Sequence, residues 1–212
     1  MTTVSYKIFT PSDYTQQRWK NGRGTTVELV KQDKKGSADE SAFAWRLSMA
    51  TLAEDGDYSS FPSIDRTQVM LQGSEVQLEI STSKESKQAQ SLNNSYTLTP
   101  LKHIAFSGED AVSCHLPNKD NASMFNVMSD STYGRHQVEV IKSNDLEKTP
   151  IECDLLVVFV VNGGLSITLN GDNCLLSEHH LLQVNVEKAP LSITTAHSIT
   201  PSSLILVKFF HH

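Results

Sequence analysis

The stretch that decides the fold is Phe43-Ala-Trp-Arg-Leu-Ser-Met-Ala50, in which large apolar residues alternate with small or polar residues. In an extended chain, the odd-numbered side chains of this stretch lie on one face and the even-numbered side chains on the other. The spacing therefore predicts a β-strand whose more polar face carries Arg46 and Ser48. A cation in such a strand must be paired, solvated or directed into a cavity, and a salt bridge at a sheet edge is the alternative to a ligand-binding role.

Short apolar or β-branched runs continue along the chain, and glycine-containing turns separate them. The clearest turns are Gln72-Gly-Ser74, Asn162-Gly-Gly164 and Asn170-Gly-Asp172. No stretch has the apolar spacing of an amphipathic helix of three turns. The chain is therefore predicted to be all-β, a sandwich or barrel with little helix. The predicted strands cover residues 4–9, 26–30, 43–50, 68–72, 76–80, 104–106, 111–116, 137–141, 155–161, 165–169, 181–186, 191–195 and 204–210.

Residues 67–80 and 156–169 show the same order of apolar strand, glycine turn and alternating strand. This repeat favours two similar β-barrel modules in tandem, whereas one large sandwich with similar hairpins is the alternative. We predict an N-terminal barrel over residues 1–145 that carries the candidate site. The C-terminal barrel is predicted over residues 146–212, completed by strands from the N-terminal segment.

Composition and charge restrict the possible partners. The 212 residues contain 18 Lys and Arg against 24 Asp and Glu, a net charge of −6, which repels nucleic-acid phosphates and anionic lipids. The longest apolar run, residues 155–161, is much shorter than the roughly 20 residues that cross a bilayer. We therefore expect neither a nucleic-acid nor a membrane partner. The isolated cysteines Cys114, Cys153 and Cys174 suit reduced thiols, so we expect a cytoplasmic protein.

Spacing argues against metal and nucleophilic chemistry. None of the 8 histidines has the spacing of a metal site, and no Gly-x-Ser-x-Gly motif occurs. We expect no metal, no cofactor and no catalytic residue. The acidic loop with Glu54, Asp55 and Asp57 is typical of a solvated turn.

The segment Trp19-Lys-Asn-Gly-Arg-Gly-Thr-Thr26 combines two glycines, two cations and hydrogen-bonding side chains. Backbone amides together with Lys20 and Arg23 can surround a carboxylate or phosphate. A plain Asn-Gly turn between strands is the alternative, and spacing alone favours it.

Several motifs follow one another up to Met128. They are Trp19-Lys-Asn-Gly-Arg-Gly-Thr-Thr-Val-Glu28, Phe43-Ala-Trp-Arg-Leu-Ser-Met-Ala50, Asp55-Gly-Asp-Tyr-Ser-Ser-Phe-Pro-Ser-Ile-Asp-Arg66, Phe106-Ser-Gly-Glu109 and Phe125-Asn-Val-Met128. Together they resemble the HutD/Ves family, metal-free bicupins associated in many bacteria with histidine-utilisation operons. The resemblance implies tandem cupin-like β-barrels.

The chain departs from the pattern of that family at three positions. Arg23 stands where the family usually has the second of three glycines, Ser63 replaces a usual glycine, and Met124 replaces a common acid. The region in which metal-binding cupins carry His-x-His falls near residues 66–71, which contain no histidine.

The resemblance implies that the N-terminal barrel binds a small carboxylate metabolite. An intermediate of histidine breakdown, such as urocanate or formylglutamate, is the expected ligand, and moderation of the expression or flux of that pathway is the expected role. Arg46 would hold the carboxylate through two hydrogen bonds, Lys20 would add charge, and Asp65 would orient a cation. The full set of expected ligand-binding residues is Lys20, Asn21, Arg23, Thr25, Glu28, Arg46, Ser48, Asp65, Arg66 and Asn126.

Two other classes of function remain open. The first is a metal-independent isomerase or hydrolase of a polar metabolite, with Glu28 or Asp65 as the proton acceptor. The second is a protein-interaction module that uses an exposed sheet edge or apolar patch. A homodimer is compatible with any of the three.

Overall fold

The computed structural model describes residues 5–19, 24–34, 42–82, 94–186, 191–196 and 200–212. Strands dominate these ranges, and the helical segments within them are the short 3-10 helices Pro11–Asp13 and Ser143–Lys148. The predicted all-β fold is confirmed. No helix in the described ranges is long and apolar enough to cross a membrane. The strands are β1 (Ser5–Phe9), β2 (Thr15–Arg18), β3 (Gly24–Asp33), β4 (Phe43–Leu52), β5 (Gly56–Asp57), β6 (Ile64–Gln72), β7 (Val76–Ser81), β8 (Asn94–Leu98), β9 (His103–Ser107), β10 (Ala111–His115), β11 (Ala122–Asp130), β12 (Gly134–Lys142), β13 (Leu155–Asn162), β14 (Gly164–Leu169), β15 (Asp172–Ser177), β16 (Leu181–Asn185), β17 (Ile193–Thr195) and β18 (Ser203–His211).

The chain divides into two compact units. Thr15–Tyr133 forms the N-terminal unit, and Met1–Tyr14 together with Gly134–His212 forms the C-terminal unit. The division falls at Tyr133, whereas the sequence placed it at residue 145. The reason is that β12 pairs along its whole length with β18, which draws residues 134–142 into the C-terminal unit. β1 pairs with β16 of the same unit.

The N-terminal unit has two antiparallel sheets in its described residues. One has the strand order β2-β3-β4-β11-β6-β9 and the other the order β5-β10-β7-β8. Buried side chains from both sheets share one apolar core, which includes Leu52, Met70 and Met124 from the first sheet and Leu78 and Val112 from the second. The first sheet thus presents its even-numbered β4, β6 and β11 side chains to the inside of the unit.

The C-terminal unit also has two sheets in the part that the structure describes, with the orders β1-β16-β13-β18-β12 and β15-β14-β17. Its core consists mainly of aliphatic side chains, and Leu156, Val158, Leu176 and Leu206 are fully buried there. The candidate polar residues of the sequence analysis all lie outside this unit.

Strand β11 was not predicted, although it lies at the centre of the large sheet between β4 and β6. Nearly all its residues are buried, including Met124, Phe125, Val127 and Met128. Because both faces of the strand are covered, its sequence lacks the alternation that marks a half-exposed strand.

Candidate functional site

A cavity of about 440 Å³ lies in the N-terminal unit, where the inner face of the large sheet changes from apolar to polar. Its sheet side is formed by β3, β4, β6 and β11, and its other side by Asp57, Tyr58, Ser59 and Phe61. The volume suits a small metabolite, at the lower end of the range for ligand pockets.

Strand register brings the polar side chains of the cavity together. Ser48 of β4 pairs with Asn126 of β11, which pairs in turn with Gln68 of β6. On the other side of Ser48, Glu28 of β3 completes the row. Directly paired residues in an antiparallel sheet point to the same face, so these four side chains lie on the inner face.

The adjacent row carries the two cations of the site. Arg46 of β4 pairs with Met128 of β11, and Met128 pairs with Arg66 of β6. All three line the cavity. Two arginine side chains thus enter one cavity from either side of a central methionine.

Arg66 is held in an enclosed, largely aromatic environment. Its side chain is buried, with the residue only 8% exposed, and its Cζ lies 4.9 Å from the ring centroid of Phe106, 5.3 Å from that of Tyr58 and 5.4 Å from that of Phe61. Its Nη1 donates to the Ser59 carbonyl oxygen at 3.3 Å, while its buried Nε has no partner among the described residues. Burial lowers the pKa of Arg66 to about 10, and the nearby charge of Arg46 acts in the same direction.

Arg46 is less enclosed than Arg66. Its Cζ lies 5.0 Å from the ring centroid of Phe43 and 5.8 Å from that of Phe61, and its Nη2 contacts Met128 Sδ at 3.1 Å. Burial lowers the pKa of Arg46, and the carboxylate of Glu28 opposes this effect. Neither guanidinium group forms an ion pair with a carboxylate in the described part of the chain.

The amide pair beside the two arginines has an incomplete hydrogen-bond set. Gln68 Nε2 donates to Asn126 Oδ1 at 2.6 Å, whereas Gln68 Oε1 and the Tyr58 hydroxyl are buried without a well-oriented partner in the described ranges. The Tyr58 hydroxyl lies beside the Gln68 and Cys114 side chains, and burial raises the pKa of Tyr58 well above its usual value. Tyr58 therefore stays protonated at neutral pH and is a hydrogen-bond donor rather than a base.

Trp19 forms part of the cavity wall through contacts with the start of β3. Its Nε1 donates to Thr26 Oγ1 at 2.7 Å, and its backbone N–H donates to the Gly24 carbonyl oxygen at 3.0 Å. A Cβ on Gly24 would overlap the Thr51 carbonyl oxygen and would also meet the indole ring at 3.0 Å, so glycine permits the close approach of both β4 and Trp19.

The structure brings some of the predicted site residues together and separates others. Arg46, Ser48, Arg66 and Asn126 line the cavity, and Glu28 lies on the same face at the end of the row. Thr25 and Asp65 point to the opposite face because they are odd-numbered neighbours of inward residues, and Asp65 is exposed. Lys20, Asn21 and Arg23 lie outside the described residues.

The sequence analysis missed several cavity residues. Alternation along β6 places Gln68 on the same face as Arg66, and the same rule selects Thr26 rather than Thr25. Alternation does not identify Tyr58 and Phe61, because they lie in a loop rather than a strand. Backbone hydrogen bonds to Val112 and Gly108, far along the chain, bring this loop to the cavity.

Comparison with known proteins identifies the family. The family model described as HutD matches residues 11–200. This chain belongs to the HutD family. Protein Ves of Escherichia fergusonii is 31% identical to this HutD-family chain over 145 residues, which cover 68% of this chain and 67% of Ves.

A second curated relative is an uncharacterized 21.2 kDa protein in the hutC 3' region of Pseudomonas putida. It is 34% identical over 110 residues, which cover 52% of this chain. The match spans about half the length of that relative, 51%.

Solved structures share the fold. HutD from Pseudomonas fluorescens SBW25, in a formate condition, superimposes with a TM-score of 0.73 at 23% identity, covering 98% of this chain and 100% of that chain. A cupin 2 conserved barrel domain protein from Leptotrichia buccalis gives a TM-score of 0.52 at 9% identity, covering 92% and 96%. The HutD-family chain thus has a cupin-like fold.

The donor set of the cavity does not suit a metal ion of the kind that cupins commonly hold. Its lining has no histidine or cysteine, and no group of three His, Cys, Asp or Glu side chains comes together in the residues that the structure describes. Arg66 and Gln68 take alternate inward positions on β6, near the region noted for His-x-His. Two guanidinium groups in the cavity repel a cation and attract an anion.

Proposed function

We propose that this HutD-family protein binds a small carboxylate metabolite in the cavity of its N-terminal unit. The observation that carries the proposal is the pair of guanidinium groups that enter the cavity, the buried Arg66 and the half-buried Arg46, without an ion-pair partner among the described carboxylates. A buried cation is costly without a counter-charge, and a ligand carboxylate would supply one.

The neighbouring polar groups support a ligand that is more than a simple anion. Ser48, Asn126 and Gln68 form a row directly beside the two arginines, and Tyr58 faces the same space. These groups can both donate and accept hydrogen bonds, so they suit a polar metabolite with amide, imidazole or hydroxyl groups next to its carboxylate.

The proposed pathway is histidine catabolism. The family name and the P. putida relative in the hutC 3' region support this assignment. We propose urocanate or formylglutamate as the ligand and a regulatory or accessory role, exerted through ligand binding rather than turnover. Asp65, one of the two proton acceptors considered for an enzyme, faces away from the cavity.

The test is thermal unfolding of the full chain with urocanate, formylglutamate, formiminoglutamate, glutamate and histidine, each with and without a chelator. A ligand at about 100 times its dissociation constant stabilises the folded state by about 2.7 kcal/mol, which is readily measured. We expect a shift with at least one carboxylate, and we expect the chelator to leave it unchanged.

Arg46→Ala provides the site-specific arm of the test. Loss of a buried charge–charge contact costs about 2–5 kcal/mol of binding, enough to abolish detectable affinity for a micromolar ligand. The matched control is Arg18→Ala, because Arg18 is an exposed arginine on β2 of the same unit. Absence of a shift across the panel, or an unchanged shift in Arg46→Ala, contradicts the proposal.

A further inference from the structure

Arg46 and Arg66 share a single aromatic neighbour. Phe61 lies within 5.8 Å of the Arg46 Cζ and 5.4 Å of the Arg66 Cζ, measured to the ring centroid. In the described residues, Phe43 lies by Arg46 alone, and Tyr58 and Phe106 lie by Arg66 alone. The Phe61 ring therefore bridges the two guanidinium groups.

The sheet fixes the starting points of the two side chains. Arg46 and Arg66 flank Met128 in one row, on strands separated by β11. Two inter-strand spacings place their Cα atoms about 10 Å apart. Because both side chains then contact one ring, they converge toward the inside of the cavity.

Backbone contacts hold the loop that carries Phe61. The Phe61 N–H donates to the Gly108 carbonyl oxygen at 2.7 Å, and the Gly108 N–H donates to the Ile64 carbonyl oxygen at 2.7 Å. A Cβ on Gly108 would overlap the Phe61 carbonyl oxygen. The loop that carries Phe61 is thus packed directly on Gly108 by contacts within the protein.

From these contacts we infer that Arg46 and Arg66 act as one anion-binding pair, which holds a single carboxylate between them, and that Phe61 is the positioning residue that sets their spacing. The inference rests on the proposed function and deepens it, since it assigns one carboxylate to two arginines. A carboxylate has about four lone-pair sites and accepts charge-assisted hydrogen bonds of about 2.8 Å from two guanidinium groups at once.

Electrostatics makes this pair cooperative. Two like charges that enter one cavity repel each other, so each guanidinium group increases the cost of charging the other when no anion lies between them. One carboxylate between them attracts both guanidinium groups and reduces their mutual repulsion. Replacement of either arginine should therefore remove most of the carboxylate affinity. Replacement of the second arginine as well should weaken binding little further.

Acetate is the probe that tests this inference, because it carries one carboxylate and no other recognition group. Its dissociation constant is obtained from the thermal unfolding of the full chain at constant ionic strength. We expect acetate to bind the wild-type protein, and Arg46→Gln and Arg66→Gln to weaken it at least about tenfold each. The double variant is expected to be within about twofold of the weaker single variant, the non-additivity of two groups that act as a unit.

Phe61→Leu tests the spacing, with Phe43→Leu as the matched control. Phe61→Leu retains both charges but removes the shared ring, so we expect acetate affinity to fall about five- to tenfold. Phe43→Leu removes a ring that contacts Arg46 alone, and we expect a change of less than about twofold. Melting temperatures measured without acetate show whether each variant is folded. If Phe61→Leu does not fold, the arginine variants alone test whether the two guanidinium groups act as one pair.

Three results overturn the inference: acetate fails to bind the wild-type protein, the two arginine effects multiply in the double variant, or folded Phe61→Leu binds acetate like the wild type. Failure with acetate alongside binding of a metabolite from the panel leaves the proposed function standing. Failure with the whole panel alongside cooperative acetate binding overturns the proposed metabolite and supports the arginine pair.

Discussion

Replacement of Arg66 by methionine should stabilise the ligand-free protein while it abolishes carboxylate binding. Arg66 is buried and is not paired with any described carboxylate, so its charge opposes folding when no ligand is present. Methionine fills a similar volume and makes favourable contacts with the surrounding aromatic rings. The prediction follows from the same feature that makes Arg66 suited to an anion.

The magnitude comes from the environment of the guanidinium group. Burial lowers the pKa of Arg66 to about 10. A pKa shift of one unit corresponds to about 1.4 kcal/mol, so folding disfavours the charged form of Arg66 by about 3 kcal/mol. The three rings around Arg66 offset about half of this cost through cation–π contacts of about 0.5 kcal/mol each. Since methionine keeps part of that packing, we expect Arg66→Met to be more stable by about 1–3 kcal/mol.

The sign of the pH dependence provides a second check. The folded-state pKa of Arg66 lies below its unfolded-state value, so the unfolded chain binds the proton more tightly. The free-energy cost of burying the Arg66 charge is therefore fully present at neutral pH. It decreases as the pH rises through about 10, because folded Arg66 then loses its proton. The stability difference between wild type and Arg66→Met should narrow over that range.

Urea unfolding followed by tryptophan fluorescence is the appropriate assay. The chain has 2 tryptophans, Trp19 and Trp45, and both lie in the N-terminal unit, so the signal reports on that unit. Arg18→Met, at an exposed position on β2, is the control and should change stability by less than about 0.5 kcal/mol. Equal or lower stability of Arg66→Met without ligand would refute the reasoning that an uncompensated buried charge opposes folding.

Two further substitutions test the surroundings of the arginines. Gly108→Ala places a methyl group against the Phe61 carbonyl oxygen and should displace the loop that carries Phe61. We therefore expect carboxylate binding about tenfold weaker than that of the wild type in the thermal-shift titration. Wild-type affinity would contradict the role of this loop. Asn126→Leu leaves Gln68 Nε2 without its hydrogen-bond acceptor at 2.6 Å, so the free energy of unfolding in urea should fall by about 1–3 kcal/mol. The Asn126→Leu/Gln68→Leu double variant should recover this stability. A single variant as stable as the wild type would contradict the prediction.

Much of the fold was predictable because alternation is a local property. The spacing of residues 43–50 predicted a strand with Arg46 and Ser48 on one face, and β4 has both side chains in the cavity. β11 could not be found in this way, because burial on both faces removes the alternation. The motifs of the family resemblance identified the family correctly.

The candidate site was predictable only in part. Motifs singled out Thr25, Asp65 and Arg66. Strand pleating turns Thr25 and Asp65 away from the cavity and directs Arg66, together with Thr26, into it. Pleating follows from the register of each strand, which a motif match does not specify. Applied to β6, the rule of alternation would have found Gln68 from Arg66.

By itself, the sequence determined the all-β class, the alternation that places Arg46 and Ser48 on one face of a strand, and the family, because these depend on patterns that can be read along the chain. Only the tertiary structure decided that Arg46 and Arg66 face each other across Met128, and that Phe61 contacts both of them. The physical reason is that strand neighbours are chosen by pairing and burial over long separations in the chain. Such pairing leaves no local pattern at the residues that it brings together.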